Sequence, residues 1–120
     1  MIEHIDITGV RYTPDEAIKK YVTKKIGKLD RFLPRHARKT LKAEVVLEEV
    51  NRANGNKYEC DVKLSVPGKS LNAKDSTLNM FAAIDIVEKK LADQLRKYKE
   101  TSEPAKGWRA KVARFKQKIA

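Results

Sequence analysis

Residues 57–73 read KYECDVKLSVPGKSLNA. Tyr58, Cys60, Val62, Leu64 and Val66 alternate with Lys57, Glu59, Asp61, Lys63 and Ser65. Successive side chains of a β-strand point to opposite faces, so this period of two predicts a strand with one face on a core and the other in water. Pro67-Gly68 supplies a hairpin turn, and Leu71 and Ala73 carry the alternation into a short further strand. A sheet that is apolar on one side has to be covered, and that requirement organises the rest of the chain.

Upstream, LKAEVVLEEV at 41–50 sets Leu41, Ala43, Val45 and Leu47 on one side, and NRANGN at 51–56 supplies the turn between the two strands. At 2–8, Ile5 and Ile7 alternate with His4, Asp6 and Thr8, a first strand ended by Gly9. The covers are helical. Thr13-Pro14-Asp15-Glu16 has a cap-like Thr, Pro at the first helical position, and Glu three residues after the Thr, the pattern of a capping box. From there Ile18, Val22, Ile26, Leu29 and Leu33 recur at the helical period until Pro34 stops it. A second helix, capped by Asp75 or Ser76, carries the stripe Met80, Ile84, Val87, Leu91, Leu95 and Tyr98.

The predicted fold is therefore α+β: a two-layer β-α-β-β-β-α domain over residues 1–100, a four-stranded sheet with two helices on one face, similar to a double-stranded RNA-binding fold. The β-α-β crossover should make the first two strands parallel, and the short turns should make the others antiparallel. ETSEPAKG, which follows Lys99, reads as a polar break, with the linker at 101–107. WRAKVARFKQKIA, 108–120, reads as a short basic amphipathic helix with Trp108, Val112, Phe115 and Ile119 on one stripe.

The 120 residues carry 27 Lys and Arg against 16 acids, a net charge of +11. A surplus of this size on one small domain points to a polyanion, either nucleic acid or an acidic membrane surface, and composition does not choose between them. No apolar run reaches the ~18 residues of a membrane span. The N-terminus lacks the pattern of a secretory signal, and the single Cys60 suits a reducing compartment, so a cytoplasmic location is expected. An enzyme is not expected. His4 and His36 are isolated, no Cys or His cluster has metal spacing, and there is no glycine loop for phosphate, so neither a cofactor nor a small-molecule substrate is implied.

On a helical projection Lys20, Lys24, Lys28 and Arg31 share an arc of about 80° beside the apolar stripe of the first helix. Lys25 projects between Val22 and Leu29, where it either snorkels to water along a seam or forms part of a polyanion site. In the second helix Lys90 and Lys97 share a flank and have only Asp93 as an acid neighbour, so much of their charge should be unspent. Lys89 and Arg96 face outward near Asp93 and Glu100, with Lys89 and Asp93 placed for an i, i+4 pair. Two helices on one sheet face would bring the ridge and the flank onto one surface, spaced for a phosphate backbone. Few aromatics are available to stack on splayed bases, which favours folded RNA over single strands.

Residues 73–99, with N-MF-A-AID followed by Lys90, Leu91, Gln94, Leu95, Lys97 and Lys99, resemble the second helix of the ribosome hibernation-promoting factors and ribosome-associated translation inhibitors. VTKKIGKLDRF at 22–32 resembles that family's first-helix segment, and IDITG at 5–9 its first strand. Where the family usually has Asp-Met-Tyr this chain has Asn79-Met80-Phe81, and Asp93 stands where a basic residue is common. The resemblance implies a protein that occupies the decoding region of the small ribosomal subunit, blocks mRNA and tRNA, and inhibits translation under stress or in stationary phase. Its partners would be that subunit and its rRNA, and it would be a monomer when free. By motif position Lys25, Lys28, Lys90, Lys97 and Lys99 would touch rRNA; Lys20, Lys24, Arg31, Lys89 and Arg96 join them by projection. The C-terminal domain of the long members exceeds the last 20 residues, so a short form is implied, with ribosome pairing and silencing of single ribosomes both open. The alternative reading is a generic double-stranded RNA-binding module. Such modules usually start their last helix with a lysine cluster, where this chain has KDSTLNMF. For the tail, an RNA or ribosomal-protein contact is favoured over an anionic membrane.

Overall fold

The computed structural model describes residues 1–53 and 55–102, the side chains of 99–102 excepted. In chain order it runs β1 (His4–Val10), α1 (Glu16–Gly27), a 3-10 segment (Lys28–Phe32), α2 (Arg35–Arg38), β2 (Lys42–Glu49), β3 (Tyr58–Val66), β4 (Lys69–Thr77) and α3 (Met80–Ser102). The strands lie in the order β1-β2-β3-β4, with β1 parallel to β2 and the other pairs antiparallel, as the crossover and the turns require.

Register makes one apolar face. Val45 sits opposite Ile7 and Val62, and Val62 opposite Ala73; Leu64 sits between Ala43 and Leu71. Onto that face α1 lays Ile18, Val22 and Ile26, and α3 lays Met80, Ile84, Val87, Leu91 and Leu95, all buried. Each fully buried side chain of this size contributes about 1.5–3 kcal/mol. α1 packs against β1, α3 against β3 and β4, and the two helices touch each other. Among the described residues no helix covers the opposite face of the sheet, and most of its side chains are polar.

Several boundaries differ from the sequence expectation, each for a local reason. β1 passes through Gly9 to Val10, because pairing with β2 continues there. A Cβ on Gly9 would lie 1.9 Å from the Tyr12 carbonyl oxygen and 2.8 Å from Pro14 Cδ, so the chain folds back over a position only glycine fits. The cap of α1 is Asp15, whose Oδ1 accepts from the Ile18 N–H at 2.9 Å, in place of Thr13. The helix expected to reach Leu33 ends at Gly27 and tightens into the 3-10 segment. There the Asp30 carbonyl accepts from the Leu33 N–H at 3.0 Å and from Arg38 Nε at 2.9 Å, while the Asp30 carboxylate holds the Met1 amino group at 2.9 Å. Leu29 and Leu33 are buried all the same.

Pro67-Gly68 forms the β3–β4 turn, with Gly68 at φ +84°, a conformation suited to glycine. β4 is longer than expected and runs to Thr77, so neither Asp75 nor Ser76 caps α3. Asn79 does: its Oδ1 accepts from the Phe81 N–H at 2.8 Å, and Thr77 Oγ1 accepts from the Asn79 N–H at 2.9 Å. Glu59, expected on the wet face, is buried beneath Arg52 and Lys74, which both pair with it. α3 continues to Ser102, two residues into the expected linker. The rest of that linker and the 108–120 tail lie outside the described residues.

Candidate nucleic-acid interface

Tyr21 and Lys25, one turn apart on α1, face α3 across the helix–helix seam. The Tyr21 hydroxyl donates to Asp85 Oδ1 at 2.6 Å, and its ring meets Phe81 edge-on with centroids 4.9 Å apart. Lys25 Nζ lies 3.7 Å from Asp85 Oδ1 and 5.6 Å from the centre of the Tyr21 ring. With its side chain one-third exposed (33%), Lys25 is a snorkelling residue on the seam, and it is also paired. Lys25, Asp85, Glu88 and Lys89 line a shallow groove there.

Further along the same seam two guanidinium groups approach the ring of Phe32. Arg31 is 5.0 Å from its centre and Arg96 5.2 Å, distances at which a cation is attracted to the face of a ring. One aromatic side chain thus gathers cations from the 3-10 segment and from α3. Arg96 also holds Asp93 at 2.8 Å, an i, i+3 pair; Asp93 therefore serves Arg96 and not Lys89, as i, i+4 spacing had suggested.

Lys20 and Lys24 lie away from the seam, exposed on a flank of α1 beside Met1, Glu16, Lys19 and Thr23. Lys28 is exposed at the junction of α1 and the 3-10 segment. Among the described residues Lys20, Lys24, Lys28, Arg31 and Lys89 form no ion pair.

The flank carrying Lys90 does not join this surface. It turns towards the edge strand β4, where Lys90 Nζ lies 3.1 Å from Asp75 Oδ2 and donates to the Lys74 carbonyl at 3.4 Å. Gln94 Nε2 donates to the Asn72 carbonyl at 2.8 Å and the Tyr98 hydroxyl to the Pro67 carbonyl at 2.7 Å, fixing the same flank to β4 and its turn. The charge of Lys90 is therefore not unspent. Its hydrogen bond, helped by the Ser76 N–H, holds the Asp75 carboxyl below the usual carboxylate range despite some burial. Lys97 is exposed, and the Lys99 side chain lies outside the described residues.

The expected ten cations thus divide. Lys25, Lys89, Arg31 and Arg96 meet along the seam, with Lys28 beside them; Lys20 and Lys24 extend outward on α1; Lys90 lies on the far flank of α3. The sequence reading missed Phe32, Asp75 and Asp85. Asp75 and Asp85 reach their lysines from another element, which no helical projection registers; Phe32 had only its place beside Arg31 as a signal. Among the described residues no group of three or more His, Cys, Asp or Glu could hold a metal ion, and no helix is long and apolar enough to cross a membrane.

A family model described as sigma 54 modulation protein / S30EA ribosomal protein matches residues 5–103. A ribosome hibernation promotion factor of Lactococcus lactis is 34% identical over 96 residues, covering 78% of this chain and 48% of that protein. One from Picosynechococcus is 34% identical over 95 residues with the same coverage. The chain spans about half the length of these curated relatives. Among solved structures, the N-terminal domain of Thermus thermophilus Protein Y superposes with a TM-score of 0.68 at 27% identity, covering 79% of this chain and 98% of that one. A ribosomal subunit interface protein from Coxiella burnetii gives 0.64 at 28% identity, covering 80% and 97%. With the sheet, the two long helices α1 and α3 and nearly all of the described residues inside the matched span, the chain belongs to the sigma 54 modulation protein / S30EA ribosomal protein family.

Proposed function

We propose that this chain is a ribosome hibernation factor that seats its helical basic surface on rRNA of the small ribosomal subunit. There it occupies the decoding region, blocks mRNA and tRNA, and inhibits translation under stress or in stationary phase. The observation that carries the reading is the cluster around Phe32, where cations of two elements far apart in sequence stand on one surface. A phosphate backbone presents charge at short regular spacing and releases counterions as it is neutralised, and a row of exposed lysines and arginines suits it. The ribosomal names of the relatives support the ribosome as partner.

In this reading residues 1–100 are the ribosome-binding unit. Lys28, Arg31, Lys89 and Arg96 make the central contacts; Lys20 and Lys24 extend them; Lys25 joins them from the seam; Lys90 reaches rRNA from the far flank, and Lys97 and Lys99 complete the set. No step of this activity asks for catalysis, and the protein acts in the cytoplasm as a monomer when free. The generic double-stranded RNA-binding module has less support, because the start of α3 presents Leu78 and Phe81 to solvent in place of a lysine cluster.

Sedimentation with isolated small subunits, large subunits and whole ribosomes tests it. The protein should pellet with small subunits and whole ribosomes, and excess mRNA with initiator tRNA should displace it. Translation in a cell-free extract should fall as the protein is added. Pelleting with large subunits alone, or an unaffected extract, would overturn the proposal.

A further inference from the structure

Between Asp30 and Glu44 the chain has no acid, while Arg31, Arg35, Arg38, Lys39 and Lys42 are all basic. Part of this stretch is the short helix α2, which none of the site residues discussed above includes. α2 is held rigidly: Arg38 Nε donates to the carbonyls of Asp30 and Leu33, each at 2.9 Å, and Ala37 is buried in the core. Arg38 is therefore structural, and its bonds hold α2, with Arg35 and Lys39, against the stretch 30–33 that carries Arg31. Both are exposed and form no ion pair among the described residues. Asp30, the acid that precedes this stretch in the chain, is engaged by the Met1 amino group at 2.9 Å.

The resulting surface starts at Lys28, passes Arg31 and ends at Arg35 and Lys39, with its local carboxylate already spoken for. Desolvating such a cluster without an anion would leave like charges facing one another, so it has to stay in water or meet negative charge. Resting on the ribosomal reading, we infer that α2 is a second phosphate-binding surface of the domain. Arg35 and Lys39 grip the backbone of folded RNA beyond the reach of α3, so that the domain docks along its helices and around their α2 end.

The experiment compares the full chain with Arg35→Ala/Lys39→Ala and with the charge-keeping Arg35→Lys/Lys39→Arg, measuring affinity for isolated small subunits over a series of salt concentrations. Neither side chain is paired or buried, so the thermal midpoint should not move. The alanine pair should bind about tenfold more weakly, and the slope of log affinity against log salt should shrink by roughly one and a half. The charge-keeping pair should bind within about twofold of the parent, as a backbone contact without base readout predicts. If the parent binds and the alanine pair matches it in affinity and slope, the inference falls while the ribosomal reading stands. If the parent itself fails to bind small subunits, both fall. If the alanine pair loses binding to phosphatidylglycerol vesicles but keeps its subunit affinity, α2 faces a membrane and the inference is overturned.

Discussion

On the open face of the sheet Arg11 pairs with Glu48, Arg52 and Lys74 both pair with Glu59, and Asn72 Nδ2 donates to Asp61 at 2.8 Å. On the helical side Lys20, Lys24, Lys28, Arg31 and Lys89 form no ion pair among the described residues, and neither do Arg35 and Lys39 at the α2 end. A net charge of +11 spread evenly would say little beyond solubility. Here Arg11, Arg52 and Lys74 of the open face are matched by acids, though Lys42 and Lys63 are not, while on the helical side the unpaired bases among the described residues outnumber the paired ones, so the surplus leans towards the helices. Near these cations Asp75 of β4 and Asp85 and Asp93 of α3 each hold one base, and Asp30 holds the Met1 amino group. They shape that row more than they cancel it.

The most severe way to break this contrast is to reverse charge on each side separately. Lys24→Glu with Lys28→Glu should lower affinity for small subunits by about a hundredfold, since two contacts are lost and two repulsions gained. Lys42→Ala with Lys63→Ala, on the open face, should leave affinity within about twofold. Equal losses on both sides would mean that net charge alone drives association. The next test exchanges function for stability. Glu59→Gln strips the buried carboxylate from between Arg52 and Lys74, whose own side chains are half-exposed and can rehydrate. Unfolding by urea should therefore show a loss of about 1–2 kcal/mol, below the cost of breaking a fully buried pair, with ribosome affinity unchanged.

The sheet could be read from the chain because alternation at 58–66 admits only one register for an apolar face. Alternation falls silent at Lys74–Thr77, where both faces are polar. Pairing of Asp75 with Cys60 and of Thr77 with Tyr58 holds those residues as strand, so the end of β4 was invisible. The end of α1 was hidden for another reason. Ile26, Leu29 and Leu33 fit either an α-helix or a tighter turn, and what decides is Asp30, tied to Met1 and Arg38. The basic ridge of α1 was legible because it depends on one helix. Which flank of α3 would meet it was not, because the orientation of α3 on the sheet follows from Gln94 and Tyr98 bonding to β4 and its turn.

The smallest effect expected lies on the seam, where the two kinds of surface meet. The Tyr21 hydroxyl and Lys25 share one carboxylate, that of Asp85. Ionising the phenol would forfeit its hydrogen bond to Asp85 and set a negative oxygen near Asp85 and Glu88 in a partly desolvated place, which pushes the group up to about 12 from 10.0. A raised value in the folded state means that the stabilisation is complete below pH 10, the unfolded value, and is lost as pH climbs towards 12. The buried Cys60 thiol, pushed up to about 12 from 9.0 chiefly by desolvation, weakens the fold over an overlapping range. Tyr21→Phe keeps the edge contact with Phe81 and removes only the hydroxyl, so near neutrality it should cost about 0.5–1 kcal/mol. Above pH 10 the variant should lose stability less steeply than the parent, retaining the share due to Cys60. Since Asp85 then answers to Lys25 alone, ribosome affinity should shift by less than about twofold. Parallel alkaline limbs for parent and variant in urea titrations would show that the seam hydrogen bond contributes nothing. The contrast between the two faces would then begin at Lys25 itself.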